Sequence, residues 1–285
     1  MRTPSNRKLA LFGLLTALGL MAVLPSLMGL VRDTRHREYY SHIPVIAAVS
    51  AYLIFRRRKL VFGGEASAHP AGISLIACGA GAALAGQFLG WSDGDRISIV
   101  TLAVLLVWAG AYLVLFGKGT GRRALFPFVF LLLAVPMPMA VLDKVIAVLV
   151  AGSTSMTRVL FKAFGIPFLQ EGPIFYLPGF SIEVARECSG IRSSLALLVT
   201  AVLAGHVFLK GIWRQALLAV AVFPVALFKN AIRIVTLYLL SYFVDIRIIQ
   251  GGFLHRSGGF VFFGLGLAVL GLVVWFLRGE GKRRA

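Results

Sequence analysis

Long apolar runs, separated by short basic or Gly- and Pro-containing segments, form the main pattern of this chain. Eight of these runs approach the length of about 20 residues with which an α-helix crosses the hydrocarbon core of a bilayer. They are Leu9–Val31, Tyr39–Phe55, Ala71–Gly90, Ile97–Phe116, Ala124–Leu142, Ser189–Leu209, Trp213–Tyr242 and Gly258–Leu277. Hydrophobic residues make up 59% of the chain and charged residues 14%, which excludes an ordinary soluble domain. The pattern predicts an all-α polytopic membrane protein with about eight transmembrane helices.

The formal net charge of +18 arises from basic residues that are concentrated at the termini and in alternate loops, so it does not indicate a nucleic-acid partner. Sixteen of the 29 Lys and Arg residues lie at the two ends and in alternate loops, beside only two acidic residues. Lys and Arg are enriched on the cytoplasmic side of membrane proteins. We therefore expect both termini in the cytoplasm and the remaining loops on the outer side of the cytoplasmic (inner) membrane.

The segment between the fifth and sixth runs differs from the rest. Leu142–Phe164 mixes apolar positions with charged and hydroxyl side chains, which predicts an amphipathic helix on the outer face. Ile166–Glu187 contains repeated Gly and Pro, and Phe180–Val184 alternates as a strand does, which predicts a small β-hairpin. Without a linker or repeat, residues 1–285 are interpreted as one integral membrane domain, with scaffold spans at 1–123 and a catalytic core at 124–285.

Three groups with complementary chemistry fall on the predicted outer side. Cys188 immediately precedes the sixth run, Arg233 lies near the outer end of the seventh, and His255 precedes the eighth. A thiolate is a strong nucleophile, an imidazole can exchange the proton, and a fixed cation stabilises a developing oxyanion. Each residue alone also fits an ordinary role, as an inert interfacial thiol, a snorkelling arginine or a surface histidine. Their convergence predicts a nucleophilic enzyme that needs no cofactor and no metal.

Neighbouring residues are candidates for supporting roles. We expect the backbone N–H groups of Ser189 and Gly190 to act as additional donors to the oxyanion. Rival cations are Arg186, Arg192 and Arg256. Cys78, in contrast, lies in the middle of a span among Ala and Gly, and we expect it to be a packing residue.

The motifs resemble those of the exosortase/archaeosortase family. The matching features are Glu187-Cys188-Ser189-Gly190-Ile191-Arg192-Ser193, Asn230-x-x-Arg233, His255 before the last span, Tyr40-Ser41-His42, Pro136-Met137-Pro138 and the Gly172–Val184 lead-in. The resemblance implies a multi-pass cysteine transpeptidase with a Cys188–Arg233–His255 triad. A histidine at the third position of the triad, His255, resembles the bacterial branch of the family. Arg192 and Asn230 fall inside the matched motifs and are candidates for substrate contacts.

The same resemblance implies the substrates. They would be exported proteins with a C-terminal sorting signal of the PEP-CTERM type, which consists of a short Pro-containing motif, a transmembrane helix and a basic tail. Cleavage near the outer membrane face would form a thioester on Cys188, which passes the protein to an acceptor amine or to water. The partners implied are therefore protein substrates and membrane lipid, and no nucleic acid.

Other function classes stay open. A transporter or channel would use Arg233 and His255 to line a pathway, although no acidic residues lie deep in the predicted spans. A non-catalytic factor for the assembly of an exported polymer would tolerate replacement of Cys188. A membrane acyltransferase acting on a small molecule would use Cys188 but would not require a sorting signal.

Overall fold

A computed structural model describes residues 6–32, 40–63, 70–88, 92–186, 189–244 and 253–282. These ranges are almost entirely helical, and their strands form a single small sheet. Seven of the described helices are long and apolar enough to cross a membrane, and Ile43–Arg56 is a shorter apolar helix. The predicted all-α polytopic membrane fold is therefore confirmed.

The chain packs as two compact units, Met1–Val141 and Leu142–Ala285. The prediction of a single integral domain, with its scaffold and core divided at residue 123, stays a prediction. The first unit contains α1 (Asn6–Arg32), α2 (Ile43–Arg56), α3 (Arg58–Val61), α4 (Pro70–Phe88), α5 (Asp93–Phe116) and α6 (Lys118–Leu131). Within it α4 packs along α5, α1 also packs on α5, and α2 and α3 pack on α6.

Glycines bring α4 and α5 unusually close together. A Cβ atom added at Gly79 would lie 2.8 Å from the Ala103 carbonyl oxygen, and one at Gly110 would lie 2.6 Å from the Gly72 carbonyl oxygen. Small residues at such positions allow helix backbones to approach in a membrane, where packing rather than the hydrophobic effect holds helices together. Cys78, adjacent in sequence to Gly79, is exposed. The expectation that Cys78 packs between helices was wrong, because the glycines occupy the contact face.

Segments predicted to lie on the outer side meet at one end of the first unit. The Tyr40 hydroxyl donates to the Met137 carbonyl oxygen at 3.3 Å. The Asp95 carboxylate accepts from the Met139 backbone N–H at 2.7 Å and from the Ser92 hydroxyl at 2.8 Å. One carboxylate thus contacts the first residue of a later helix and the N-cap of α5, where an acidic group is favoured by the helix dipole.

The fifth predicted span, Ala124–Leu142, is not a continuous helix. Helix α6 ends at Leu131, a 3-10 turn covers Leu132–Ala134, and Val135 is extended with φ −69° and ψ 123°. Pro136 and Pro138 explain the break, because proline disfavours helical geometry at the residue before it and lacks the N–H that a helix requires. A new helix, α7 (Met139–Ala163), begins immediately after the prolines.

Helix α7 covers the segment for which an amphipathic surface helix was predicted. Its charged residues Asp143, Lys144, Arg158 and Lys162 are exposed. Its hydroxyl residues Ser153, Thr154 and Thr157, however, are buried, so the polar residues do not form one solvated face. The helix is also long and apolar enough to be a candidate span, and its placement on the outer surface stays a prediction.

Helix α9 (Ile212–Phe243) is the central element of the second unit. It packs against α8 (Ile191–Phe208) and α10 (Phe253–Lys282), which also pack on each other. Among the candidate spans in the described ranges, α9 is buried over the largest share of its length. Its 32 residues correspond to about 48 Å at 1.5 Å per residue, which exceeds the hydrocarbon thickness of about 30 Å.

The predicted hairpin is a three-stranded antiparallel sheet. Its strands β1 (Leu169–Glu171), β2 (Ile174–Leu177) and β3 (Phe180–Glu183) run in spatial order β1-β2-β3. The extra strand β1 lies within Ile166–Glu187 but is too short to show the alternation that identified β3. Phe175, Ile182 and Val184 pack with Phe161 of α7 and Tyr238 of α9, which fixes the sheet on the helices.

The glycine contact between α4 and α5 makes a prediction about stability. Gly79→Ala adds a methyl group against backbone atoms that cannot move independently, so we expect the free energy of unfolding to fall by about 1–3 kcal/mol. Gly81→Ala is the matched control on the same helix, because no atom lies within 4 Å of its added Cβ. Thermal unfolding in detergent, followed by circular dichroism, checks the pair. Equal stability of the two variants would contradict the close helix contact.

Candidate active site

The turn before α8 has a backbone conformation that requires glycine. Gly190 has φ +71° and ψ 17°, which is the left-handed region. Its carbonyl oxygen accepts three hydrogen bonds at 2.9 Å, from the Ser194 N–H, the Ser193 hydroxyl and the Ser194 hydroxyl. No side chain of the described residues caps α8. The turn is therefore held through its carbonyl, and the first N–H groups of the helix stay available as donors.

A close contact with α9 fixes the position of this turn. A Cβ atom at Gly190 would lie 3.1 Å from Oδ1 and 3.3 Å from Cγ of Asn230. Asn230 is buried, and its Nδ2 donates to the Ser153 hydroxyl of α7 at 3.0 Å. One amide side chain thus contacts the start of α8 and hydrogen-bonds to α7, while its own backbone belongs to α9.

A buried lysine completes this arrangement. Lys229 is 3% exposed, and its ammonium group donates to the Ser193 hydroxyl, which in turn donates to the Gly190 carbonyl oxygen. The sequence predictions gave Lys229 and Ser193 no role. The available signal was a lysine inside an otherwise apolar span, since ionisable groups in such positions are costly and are usually functional. We call Ser153, Gly190, Ser193, Lys229 and Asn230 the polar junction.

Several buried hydroxyl groups beside the polar junction are not hydrogen-bonded to any described residue. They are Oγ of Ser189 and Oγ1 of Thr154 and Thr157. Buried polar atoms normally have a partner, from the protein, from water or from a ligand. The interior of the second unit therefore offers additional polar groups, one just before α8 and two on α7.

The structure brings together some of the predicted site residues. Ser189 and Gly190 precede α8, and Asn230 contacts Gly190. Arg233 lies on α9 at three residues, or about 4.5 Å of axial rise, beyond Asn230. Its side chain is half-buried, and its Nε atom is fully buried. The start of α8 and Arg233 therefore lie at a similar depth along α9, whereas the prediction that Cys188 lies level with Arg233 stays a prediction.

Two of the rival arginines have other surroundings. Arg186 forms an ion pair with Asp143 of α7, with 2.5 Å between Nη2 and Oδ1. Arg192 is exposed on α8, whose buried face is formed by Ile191, Leu195 and Leu197. The supporting role of Arg192 stays a prediction, as does the choice of Arg233 as the catalytic cation.

The two remaining members of the predicted triad are less fully described. Cys188 lies outside the described residues, between Arg186 and Ser189. His255 belongs to the first turn of α10, which begins at Phe253, so its predicted position in a loop was wrong. Gly258 and Gly259 lie within this helix, because an α-helix tolerates glycines when its remaining residues are strongly apolar. The side chain of His255 is outside the described part of the chain.

The electrostatics of the described site favour negative charge. The start of α8, with its uncapped N–H groups, carries a partial positive charge, and Lys229 and Arg233 add two cations nearby on α9. Within the described ranges, no group of three or more His, Cys, Asp or Glu residues is placed to hold a metal ion. Away from this region, on the sheet, the Glu171 carboxylate accepts from the Tyr176 hydroxyl at 3.3 Å and raises the pKa of Tyr176. The arrangement can stabilise an anion that forms at the start of α8.

The turn at Gly190 makes a prediction that separates backbone strain from side-chain contact. Gly190→Ala introduces a left-handed alanine, which costs about 1–2 kcal/mol, and also presses its Cβ against Asn230. Gly165→Ala is the matched control, because Gly165 also has a positive φ, +67°, but no atom lies within 4 Å of its Cβ. We expect a larger loss of unfolding free energy at Gly190, measured by denaturation in mixed micelles. Equal losses of unfolding free energy in the two variants would show that the contact with Asn230 does not affect stability.

Comparison with known proteins identifies the family. The family model described as transmembrane exosortase matches residues 34–272. Searches of curated proteins and of solved structures each returned no match. The matched range covers most of the chain and contains the whole polar junction together with Cys188, Arg233 and His255. This multi-pass membrane protein therefore belongs to the transmembrane exosortase family.

Proposed function

We propose that this exosortase is a cysteine endopeptidase and transpeptidase that removes C-terminal sorting signals from exported proteins. The observation that carries the proposal is the position of Cys188 in the chain, two residues before the locked turn at Gly190. A nucleophile at this position would be followed directly by the uncapped N–H groups of α8. Arg233, one helical turn beyond Asn230 on α9, adds a cation at a similar depth.

The proposed reaction begins when the Cys188 thiolate attacks the carbonyl carbon of the scissile peptide. The carbonyl oxygen becomes an oxyanion, which Arg233 and the backbone N–H group of Gly190 stabilise. The Ser189 N–H donates to the Arg186 carbonyl oxygen at 3.1 Å, so it would have to leave this bond to act as a further donor. The C–N bond then breaks, and His255 supplies a proton to the leaving amine of the tail. This step leaves a thioester on Cys188. An acceptor amine or water attacks the thioester, loses a proton to His255 and releases the thiolate.

The membrane would position the substrate for this reaction. The substrate's own transmembrane helix would fix the depth of the peptide segment that precedes it. If that depth matches the level of Cys188 and Arg233, much of the entropic cost of bringing the two groups together is removed. The distribution of basic residues supports cytoplasmic termini and an active site on the outer, periplasmic side of the inner membrane.

The first test is whether tail removal depends on Cys188. Cells co-express an exported reporter that carries a Pro-containing motif, an apolar helix and a basic tail, together with wild-type, Cys188→Ala or Cys78→Ala enzyme. We expect tail removal to be lost only in Cys188→Ala, because Cys78 is an exposed thiol on α4. Gel mobility of the reporter, at equal enzyme abundance in the membrane, is the measurement.

The alternatives predict a different result in the same experiment. Processing that survives Cys188→Ala would exclude the thioester and favour a transporter or a non-catalytic assembly factor. A small-molecule acyltransferase would leave the reporter tail intact in cells that carry the wild-type enzyme.

The second test addresses the cation and the imidazole. Arg233→Ala should reduce the rate of tail removal by about 10²–10³-fold, the usual effect of removing an oxyanion donor. Arg233→Lys should recover only part of this loss, because a lysine lacks the planar fork of donors. His255→Ala should also abolish processing. Arg214→Ala, at the opposite end of α9, is the control and should retain activity. Wild-type rates in Arg233→Ala would exclude the proposed role.

A further inference from the structure

We propose that the free edge of β3 binds the extended segment of the substrate that precedes its transmembrane helix, as a fourth strand of the sheet. This inference rests on the proposed function, because it describes how the peptide to be cleaved is held. Its occupant is defined by chemistry: an extended polypeptide that offers alternating backbone N–H and C=O groups. Such strand addition gives affinity through main-chain hydrogen bonds and specificity through alternate side chains.

The register of the sheet determines which backbone groups of β3 point outward. Beyond the last paired residue, the Val184 N–H donates to the Pro173 carbonyl oxygen at 2.9 Å. Residues facing each other across antiparallel strands alternate between pairs that exchange hydrogen bonds and pairs that do not. Phe175↔Ile182 therefore belongs to the bonded set, and Tyr176↔Ser181 and Ile174↔Glu183 to the other. The N–H and C=O groups of Ser181 and Glu183 consequently point away from β2.

This edge is open among the described residues. No described residue hydrogen-bonds to the outward N–H or C=O groups of Ser181 and Glu183, and both side chains are exposed. Proteins usually protect such an edge with a covering element, a proline or a bulge, because it accepts another strand readily. The β1 edge is less suitable, because only Gln170 points outward there, and its side chain is bonded to Arg158 and to the Gly172 carbonyl oxygen.

The open edge leads directly to the candidate nucleophile. Glu183 is followed five residues later by Cys188, a distance of at most about 18 Å of extended chain. A peptide that pairs with Ser181 and Glu183 therefore needs only a few further residues to reach the thiol. At the other edge of the sheet, β1 contacts α7, where Arg158 Nε donates to Gln170 Oε1 at 2.8 Å.

Packing against the helices also holds this edge in place. Ile182, between the two outward-pointing residues, is buried together with Phe175 against α7 and α9. The Phe180 ring packs on Tyr238 with 5.5 Å between ring centroids, and the Tyr238 hydroxyl lies 3.5 Å from the Pro178 carbonyl oxygen. A preformed edge reduces the entropy that binding must overcome. The described contacts thus hold β3 in an extended conformation to which a peptide strand can pair.

Disulfide trapping tests the proposal directly. The enzyme carries Cys78→Ala and Cys188→Ala, so that its only thiol is introduced by Ser181→Cys or Glu183→Cys. The probe is an exported reporter with a Pro-containing segment, an apolar helix of about 20 residues and a basic tail, whose tail the wild-type enzyme is first shown to remove. Single cysteines are placed at successive positions before the helix. We expect crosslinks at every second position, at least fivefold stronger than at the positions between, because strand side chains alternate.

Glu171→Cys provides the matched control for trapping. Glu171 is also an exposed acidic residue of the sheet, but it lies on β1, about 10 Å from β3 across two strand spacings. A disulfide requires Cβ atoms about 3.5–4.5 Å apart, so this variant should give background crosslinking only. Absence of alternation, or equal yields from Ser181→Cys and Glu171→Cys, would overturn the proposal.

A backbone substitution gives an independent measurement. Ser181→Pro removes one outward N–H without touching the bonds between β2 and β3, because proline is tolerated on an edge strand. We expect at least a tenfold lower rate of tail removal at equal membrane abundance, and a smaller loss in Ser181→Ala, which keeps the N–H. Equal rates in the proline and alanine variants would contradict strand pairing. Tail removal that survives Cys188→Ala, combined with alternating crosslinks, would overturn the cysteine mechanism but leave the docking edge standing.

Discussion

The close contact of Gly190 with Asn230 is the constraint on which the rest of the candidate site depends. Asn230 lies in an interior where water cannot easily satisfy an amide, so its bond to Ser153 and its position against Gly190 are hard to exchange for others. The contact sets the start of α8 against the middle of α9. It therefore also fixes the position of Ser189 and Gly190 along α9, three to four residues before Arg233 in that helix. Displacing either residue would shift the helix start relative to the cation.

The second unit contains an apolar cluster and a polar cluster at different places along its helices. The apolar cluster packs α8, α9 and α10 through residues such as Leu197, Leu218 and Leu270. The polar junction lies nearer the start of α8, where hydroxyl, amide and ammonium groups hydrogen-bond to each other. Hydrogen bonds of this kind select one arrangement of helices more strictly than packing alone, because an unpaired buried group is costly. Exosortase family members that retain these residues should share this geometry.

Much of the fold follows from hydrophobic patterning, and the differences have local causes. Apolar runs located most candidate spans, because hydrophobicity summed over about 20 residues is the main determinant of membrane insertion. The prediction of a span at Ala124–Leu142 was wrong, because two prolines within this apolar run end the helix early. His255 lies in a helix because the last apolar run extends helical structure back across two glycines. The motif Asn230-x-x-Arg233 lies in the part of α9 that contacts the start of α8. The bond between Lys229 and Ser193 joins distant segments, and no local pattern reveals it.

The charges of α9 have a consequence for biosynthesis. Lys229 lies inside α9, and a lysine at the centre of a helix raises the free energy of insertion by about 2.5–3.5 kcal/mol, so this residue disfavours the insertion of α9 on its own. Its hydrogen-bond partners Ser153 and Ser193 belong to α7 and α8, which precede it in the chain. Synthesis from the N-terminus therefore supplies both partners before α9 leaves the ribosome. The order of the helices in the gene is thus suited to lowering the barrier for their integration into the bilayer.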